Sequence, residues 1–260
     1  MARFVLVHGG FSGAWIWLPL MDRLKADGHV VEAFDLPGMG NDHTSASEVS
    51  LDSYAARVCE VLAASSEPSI VVGHSMGGIV ATQAAARCSE RVAALVYVAA
   101  FLPMDGQSLV DLTKLPECDG EQVLGNVVVE GEPAVAVMPA AASRHVLYGA
   151  CVEDVAAWAI ARQCPQPVSP LPVAVSIPPG ALNGINRYYV LCTRDRAIPP
   201  PLQRRMVAEN PCADVIELET DHTPQLSMTN ELAKALHQFA THSSAVAGRL
   251  ADRKDRAQRC

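Results

Sequence analysis

Hydrophobic residues along the chain fall into six short runs, separated by stretches in which apolar positions recur at helical spacing. The six runs are mostly apolar and do not simply alternate with polar residues. That pattern is typical of strands in a parallel sheet whose two faces are both covered by helices. The predicted strands are RFVLV (3–7), HVVEAFD (29–35), SIVVG (69–73), VAALVYVAA (92–100), RYYVLC (187–192) and DVIELE (214–219).

The stretches between these runs predict helices. Leu18, Met21 and Leu24 share one helical face, and Gly28 is placed to end that helix. Ser50 is a predicted N-cap, because its hydroxyl can accept from a free backbone N–H of the first turn. The predicted helices are 15–27, 51–64, 77–88, 200–209 and 229–242. This alternation predicts an α/β fold built on a mostly parallel six-stranded sheet flanked by helices.

One long segment interrupts the alternation. Residues 102–186 hold a predicted hairpin in NVVVEGEPAVAVM (126–138), a helical EDVAAWAIAR (153–162) and the proline-dense CPQPVSPLP (164–172). The segment is too long for a loop and too apolar for a linker. We therefore expect a cap inserted into an α/β core of residues 1–101 and 187–242, with a disordered tail at 243–260.

Composition narrows the function classes. A net charge of −8 argues against binding to a nucleic-acid backbone, which requires basic clusters. No apolar run approaches the ~18–20 residues of a membrane span. Because the first predicted strand starts at residue 3, we expect no signal peptide. The eight cysteines are scattered without a CxxC pair, which favours reduced thiols and a cytoplasmic location over a zinc site or a disulfide framework.

The stretch SIVVGHSMGGIVATQAAAR (69–87) contains the strongest chemical signal. Its GxSxG motif lies between a buried strand and a helix of small residues, which puts Ser75 on a tight strand-to-helix turn. Gly73 and Gly77 relieve the crowding of such a turn, and the helix N-terminus favours developing negative charge. The placement predicts a nucleophile elbow instead of an incidental serine.

A serine nucleophile needs a base and an acid that orients it. In folds with this motif the acid and then the histidine follow the serine, each after the end of a strand. His222 lies in the loop after the last predicted strand, whereas His237 and His242 lie within or at the end of the final predicted helix. Asp195 follows the strand before the last one. The order also allows Asp105 as the acid. Asp221 and Asp35 are predicted to shape their own turns.

The oxyanion of an acyl-transfer intermediate needs two backbone N–H donors. The residue after the nucleophile, Met76, supplies one, and Gly10 in the loop LVHGGFSGAW is the predicted second. His8 is expected to brace that loop, and His74 to serve in packing. The nearby Trp15 and Trp17 are candidates for the pocket wall or the core.

HGGFSGAWIW, GHSMGG, TRDRAIPPPLQ and TDHTPQLS together resemble the α/β-hydrolase superfamily over nearly the whole chain, to about residue 240. They resemble in particular the branch of plant hydroxynitrile lyases, plant methyl-ester esterases and bacterial esterases that include pyrethroid hydrolases. The resemblance implies the same triad and oxyanion donors, no metal or organic cofactor, and a homodimer.

Two positions separate the chemistries of this branch. The lyases have a lysine after the catalytic histidine and a threonine after the histidine of the first loop, where this chain has Thr223 and Gly9. Without a cation for the leaving anion, hydrolysis is favoured. We expect a serine carboxylesterase acting on small to medium hydrophobic esters. The alternatives are a carbon–carbon lyase and a ligand sensor built on the same fold.

Overall fold

A computed structural model describes residues 1–257 of the chain, with side chains described for residues 1–243. Each of the six predicted strands is present, with bounds within a few residues of the prediction. Three further short strands lie in the segment between residues 102 and 186. The strands are β1 (Arg3–Val7), β2 (Val30–Ala33), β3 (Ser69–His74), β4 (Val92–Val98), β5 (Val128–Glu130), β6 (Val135–Val137), β7 (Gln166–Pro167), β8 (Asn186–Cys192) and β9 (Asp214–Leu218).

The predicted helices are also present, and shorter ones join them. They are α1 (Leu18–Ala26), α2 (Leu51–Ala63), α3 (Gly77–Arg87), α4 (Leu109–Thr113), α5 (Ala140–Val146), α6 (Glu153–Ile160), α7 (Pro200–Glu209), α8 (Pro224–Ser227) and α9 (Thr229–Ala257). Three 3₁₀ turns lie at Ala14–Trp17, Ser89–Arg91 and Pro116–Cys118. The last helix continues past its predicted end at residue 242 to Ala257, through most of the segment predicted as a disordered tail, and residues 258–260 lie outside the described part of the chain.

The main sheet has six strands in the order β2-β1-β3-β4-β8-β9, and every neighbouring pair is parallel. Val72 of β3 is in register with Val96 of β4, and Val98 of β4 with Val190 of β8. In a parallel sheet all carboxyl ends lie at one edge. The loops that follow β1, β3, β8 and β9 therefore gather on the same side of the molecule.

Helices cover both faces of this sheet, which confirms the interpretation of its all-apolar strands. Val5 and Val7 face the helices α2, α3 and α7 in one core, whereas Phe4 and Leu6 face α1 and α9 in the other. Each core is buried from water, so the sheet is a rigid, two-sided platform for the loops at its edge.

Local capping agrees with the sequence patterns. The Ser50 hydroxyl accepts from the backbone N–H of Ser53, whose own hydroxyl accepts from the N–H of Ser50, so both donors at the start of α2 are satisfied. Gly28 has a φ of 85°, the left-handed conformation expected just after the end of α1.

The segment between β4 and β8 forms a small three-stranded antiparallel sheet, β5-β6-β7, together with α4, α5 and α6. It has its own apolar cluster, which includes Leu147, Tyr148 and Ala156. It is also tied to the main body, because the Ala150 N–H donates to Asp221 Oδ2 at 2.7 Å. The predicted hairpin at 126–138 corresponds to β5 and β6.

The expectation of reduced thiols is wrong for one pair. Cys59 on α2 and Cys88, just after α3, form a disulfide. Their separation of 29 residues carries no motif, and only the packing of α2 against α3 brings them together. Disulfides are more common in oxidising compartments, so this bond does not support the expected cytoplasmic location. Among the described residues, no helix is long and apolar enough to cross a membrane.

Candidate active site

Four of the predicted site residues follow strands at the carboxyl edge of the sheet. Gly10 follows β1, Ser75 follows β3, Asp195 follows β8 and His222 follows β9. The strand order puts β1 beside β3 and β8 beside β9, with β4 between the two pairs. Residues that lie far apart along the chain are thereby brought to one edge.

Ser75 occupies a strained turn. Its φ is 54°, in the left-handed region that non-glycine residues rarely adopt. The surrounding backbone is crowded, because a Cβ on Gly73 would lie 2.5 Å from the Gly77 carbonyl oxygen and one on Gly77 would lie 2.6 Å from that of Val7. Only glycine fits at either position. These contacts are the physical reason for the GxSxG pattern.

His222 and Asp195 form a buried hydrogen-bonded pair. His222 Nδ1 lies 2.8 Å from Asp195 Oδ2, and both residues are less than 5 % exposed. A carboxylate at this position accepts from Nδ1–H, which leaves Nε2 as the basic nitrogen of the ring. The arrangement can orient an imidazole for proton transfer.

Asp195 is held in place by further donors. Its Oδ1 accepts from the backbone N–H groups of Ala197 and Ile198 at 2.8 and 2.9 Å. Gln203 Nε2 lies 3.2 Å from Asp195 Oδ2 and donates to the carbonyl oxygen of Ile198. Sequence reasoning missed Gln203, whose only signal is a polar residue on the inner face of α7, where it is fully buried.

His74 was also missed, because packing was the only role expected for it. Its Nε2 donates to the backbone carbonyl oxygen of His222 at 2.8 Å, which supports the loop that carries the imidazole of His222. Burial, with a smaller contribution from His222, holds the pKa of His74 well below its usual value. His74 is therefore neutral at physiological pH.

The loop after β1 is braced as expected. His8 is buried, its Nδ1 donates to the Gly9 carbonyl oxygen at 2.8 Å, and its Nε2 accepts from the Leu36 N–H at 3.1 Å. Within the described part of the chain, no hydrogen bond uses the backbone N–H of Gly10 or of Met76. Both donors are left for another acceptor.

Gly9 stands directly against the elbow. A Cβ at this position would lie 2.7 Å from Ser75 Cβ and 3.1 Å from His74 Nδ1. Thr223, which follows His222 in the chain, uses its hydroxyl to donate to the Leu147 carbonyl oxygen at 2.7 Å. Neither position supplies a positive charge or fills the space next to Ser75.

An apolar cavity of about 120 Å³ opens at this edge. Gly10, Ser75, Met76 and His222 line it from the main body. The segment between β4 and β8 covers it from above with Leu109, Thr113, Glu121, Val123, Leu124, Val127, Ala136, Leu147, Tyr148, Gln166 and Leu171. The cavity therefore lies between the sheet edge and the predicted cap.

Other residues considered from the sequence lie elsewhere. Asp105 is exposed and accepts from the Ile177 N–H at 2.7 Å, in a separate hollow. Asp35 accepts from the Ala14 N–H in its own turn. Trp17 is buried in the core and Trp15 packs against Trp158, whereas Ile16, between them, lines the cavity.

Asp221, next to His222, shapes its loop as expected. Its Oδ1 accepts from the Ser227 hydroxyl at 3.1 Å and its Oδ2 from the Ala150 N–H. No group of three or more His, Cys, Asp or Glu side chains that could hold a metal ion is present among the described residues.

Comparison with known proteins agrees with the fold. The model of the alpha/beta hydrolase family matches residues 4–235. Methylesterase 7 of Arabidopsis thaliana is 31% identical over 256 residues, covering 92% of this chain and 96% of the relative. Salicylic acid-binding protein 2 of Nicotiana tabacum is 29% identical, with 92% and 96% covered.

Solved structures of similar proteins have the same fold. Polyneuridine aldehyde esterase superimposes with a TM-score of 0.84 at 25% identity, covering 92% of this chain and 99% of the other. A pyrethroid hydrolase from Sphingobium faniae JZ-2 superimposes with a TM-score of 0.83 at 26% identity, covering 92% and 97%. The proteins that this chain resembles over its length include several esterases.

Proposed function

The chain belongs to the alpha/beta hydrolase family, and we propose that within it the protein is a serine carboxylesterase. The observation that carries the proposal is the shared cavity. Ser75, on its left-handed turn, and His222, hydrogen-bonded to Asp195 at 2.8 Å, both line this cavity. Nucleophile, base and orienting acid are the three parts that acyl transfer to a serine requires.

In the proposed reaction, His222 Nε2 takes the proton of the Ser75 hydroxyl as Oγ attacks the ester carbonyl carbon. The N–H groups of Gly10 and Met76, which have no partner among the described residues, donate to the oxyanion. His222 then gives its proton to the departing alcohol, which leaves an acyl group on Ser75. Water, deprotonated by His222, hydrolyses this acyl-enzyme and restores the serine.

The substrate class follows from the cavity. A space of about 120 Å³ lined by Leu, Val, Ala and Phe side chains suits a small apolar group, since cavities of about 150 Å³ hold a benzene molecule. We therefore propose small to medium hydrophobic esters. Two similar proteins are named methylesterase and pyrethroid hydrolase, and these names are in line with hydrolysis of an ester.

The charged residues that line the cavity favour release of the acid product over its retention. Among the described residues no lysine or arginine lines the cavity, whereas the acidic residue Glu121 does. A carboxylate product would find no ion pair there and would be repelled by Glu121. This supports an esterase over a sensor that holds an acidic ligand. Thr223 likewise offers no cation for a lyase.

The test is hydrolysis of p-nitrophenyl butyrate by the wild-type protein and by Ser75→Ala. Ser45→Ala, which changes an exposed loop serine, is the matched control. We expect turnover in the wild type and the control, and loss of activity in Ser75→Ala. A fluorophosphonate should label Ser75 in the same two active proteins. Equal rates in Ser75→Ala and wild type would refute the proposal.

A further inference from the structure

Gln166 is a polar residue in the wall of the apolar cavity. It begins β7, in the small sheet of the segment between β4 and β8, and is 2 % exposed. It lines the same cavity as Ser75 and His222. The mechanism proposed above gives it no role.

The orientation of the Gln166 amide is fixed by its neighbours. Its Nε2 donates to the Pro167 carbonyl oxygen at 2.8 Å and lies 3.3 Å from the Tyr54 hydroxyl. A carbonyl oxygen can only accept, so the amide nitrogen must face Pro167. The amide oxygen, Oε1, is thereby turned away from Pro167 and cannot exchange places with the nitrogen.

Oε1 lies beside the proposed oxyanion loop and has no partner. It is buried and makes no hydrogen bond within the described residues. A Cβ on Gly10 would lie 3.3 Å from it. A buried acceptor without a donor is unfavourable, and the side chains that line the cavity are mostly apolar. The missing donor must therefore come from whatever occupies the cavity.

We propose that Gln166 Oε1 accepts a hydrogen bond from a hydroxyl group of the ester substrate. Because Oε1 is next to Gly10, whose N–H is the proposed donor to the ester carbonyl, that hydroxyl lies on the carbon bonded to the carbonyl carbon. The preferred substrates are then esters of apolar 2-hydroxy acids. This inference rests on the proposed esterase function and refines its substrate class.

A site that accepts a hydrogen bond from a substrate hydroxyl discriminates against the same substrate without the hydroxyl, because the protein acceptor is then left unpaired. 2-Hydroxy esters are also intrinsically more reactive than their deoxy analogues. The informative quantity is therefore the change in preference between wild type and variant, not the preference itself.

The experiment compares methyl mandelate, each enantiomer separately, with methyl phenylacetate. Gln166→Met keeps the length of the side chain and removes the amide oxygen. In this variant we expect kcat/KM for the preferred enantiomer of methyl mandelate, divided by kcat/KM for methyl phenylacetate, to fall at least about tenfold relative to wild type. Tyr54→Phe is the matched control, since it removes a neighbour of Nε2 and leaves Oε1 in place. Gln166→Asn, which withdraws the oxygen, replaces Gln166→Met if the latter does not fold.

Binding provides a second readout that does not depend on turnover. In Ser75→Ala protein the two esters remain intact, and calorimetry should show the same loss of preference when Gln166→Met is added. An unchanged ratio in both assays would overturn the inference, and so would an equal loss in Tyr54→Phe. Failure of the esterase proposal is a separate outcome, seen as hydrolysis of methyl phenylacetate that does not require Ser75.

Discussion

The Nε2 of His74 lies 2.8 Å from the carbonyl oxygen of His222, and His74 immediately precedes the proposed nucleophile in the chain. One residue at the end of β3 therefore carries the elbow on one side and supports the loop of the base on the other. This bond uses the Nε2–H of a neutral ring. Because the ring is buried, protonation of His74 would place an uncompensated charge in the core.

The pKa of His74 makes stability depend on pH. Above the ordinary histidine value of 6.5 the ring is neutral in both the folded and the unfolded chain. Below it, the unfolded chain binds a proton that the folded protein does not, so stability falls with falling pH towards the lower folded pKa. Replacement by glutamine removes this difference.

We therefore predict that His74→Gln reduces the loss of unfolding free energy between pH 7 and pH 5 by about 2 kcal/mol. Urea unfolding at the two pH values measures it. His43→Gln, at an exposed histidine, should keep the pH dependence of the wild type. The same pH dependence in His74→Gln as in wild type would show that His74 titrates alike in both states.

Asp195→Asn should lower kcat about 10⁴-fold, because an amide cannot hold the imidazole in the tautomer with a basic Nε2. The measurement is the steady-state rate with p-nitrophenyl butyrate. Asp105→Asn is the matched control, an exposed aspartate that follows β4, and it should keep wild-type activity. Wild-type activity in Asp195→Asn together with a loss of activity in Asp105→Asn would assign the role of the orienting acid to Asp105.

Gly9→Ala should reduce kcat/KM for a short ester by about a hundredfold, with little change in fold. The added Cβ would lie 2.7 Å from Ser75 Cβ, so the elbow or the loop after β1 must shift, and a misplacement of 1 Å costs about 10²-fold. Gly125→Ala, where a Cβ meets nothing within 4 Å, is the control. Circular dichroism checks that both variants fold. Wild-type kinetics in Gly9→Ala would mean that the crowding does not matter for catalysis.

Glu121 should discriminate against negatively charged esters. Its carboxylate accepts from the Val123 and Leu124 N–H groups, and no cation lines the cavity among the described residues. We predict that Glu121→Lys raises kcat/KM for monomethyl succinate about tenfold relative to methyl butanoate, with Glu121→Gln in between.

The gain should shrink at high salt, as expected for a screened interaction. Glu130→Lys, an equal change of charge on an exposed strand outside the cavity, is the control. If Glu130→Lys raises the ratio as much as Glu121→Lys, overall charge is responsible, and the specific role of Glu121 is wrong.

The sequence was sufficient to predict the main sheet because its signals are local. Strands buried on both faces are apolar throughout, and the capping of α2 by Ser50 needs only neighbouring residues. The order of residues after strand ends led to His222 and left Asp195 and Asp105 as candidates for the acid. The structure joins Asp195 to His222 by a hydrogen bond.

What escaped prediction depends on contacts between distant segments. Gln203 and His74 act through bonds to the Asp195 side chain and the His222 backbone, and a buried polar residue does not reveal its partner in the sequence. The Cys59–Cys88 disulfide follows from the packing of two helices. Each of these is a tertiary relationship with no sequence spacing of its own.

The strands β4 and β8 are direct neighbours in the sheet, paired from Ala94 with Asn186 to Val98 with Val190. The segment that covers the cavity therefore leaves the sheet at the end of β4 and returns to it in the adjacent strand, β8. Lengthening such an excursion is inexpensive, since each doubling adds only about 0.6 kcal/mol of closure entropy. Evolution can therefore replace the residues that cover the cavity by changing one continuous segment of the chain, while the six strands of the main sheet stay unchanged.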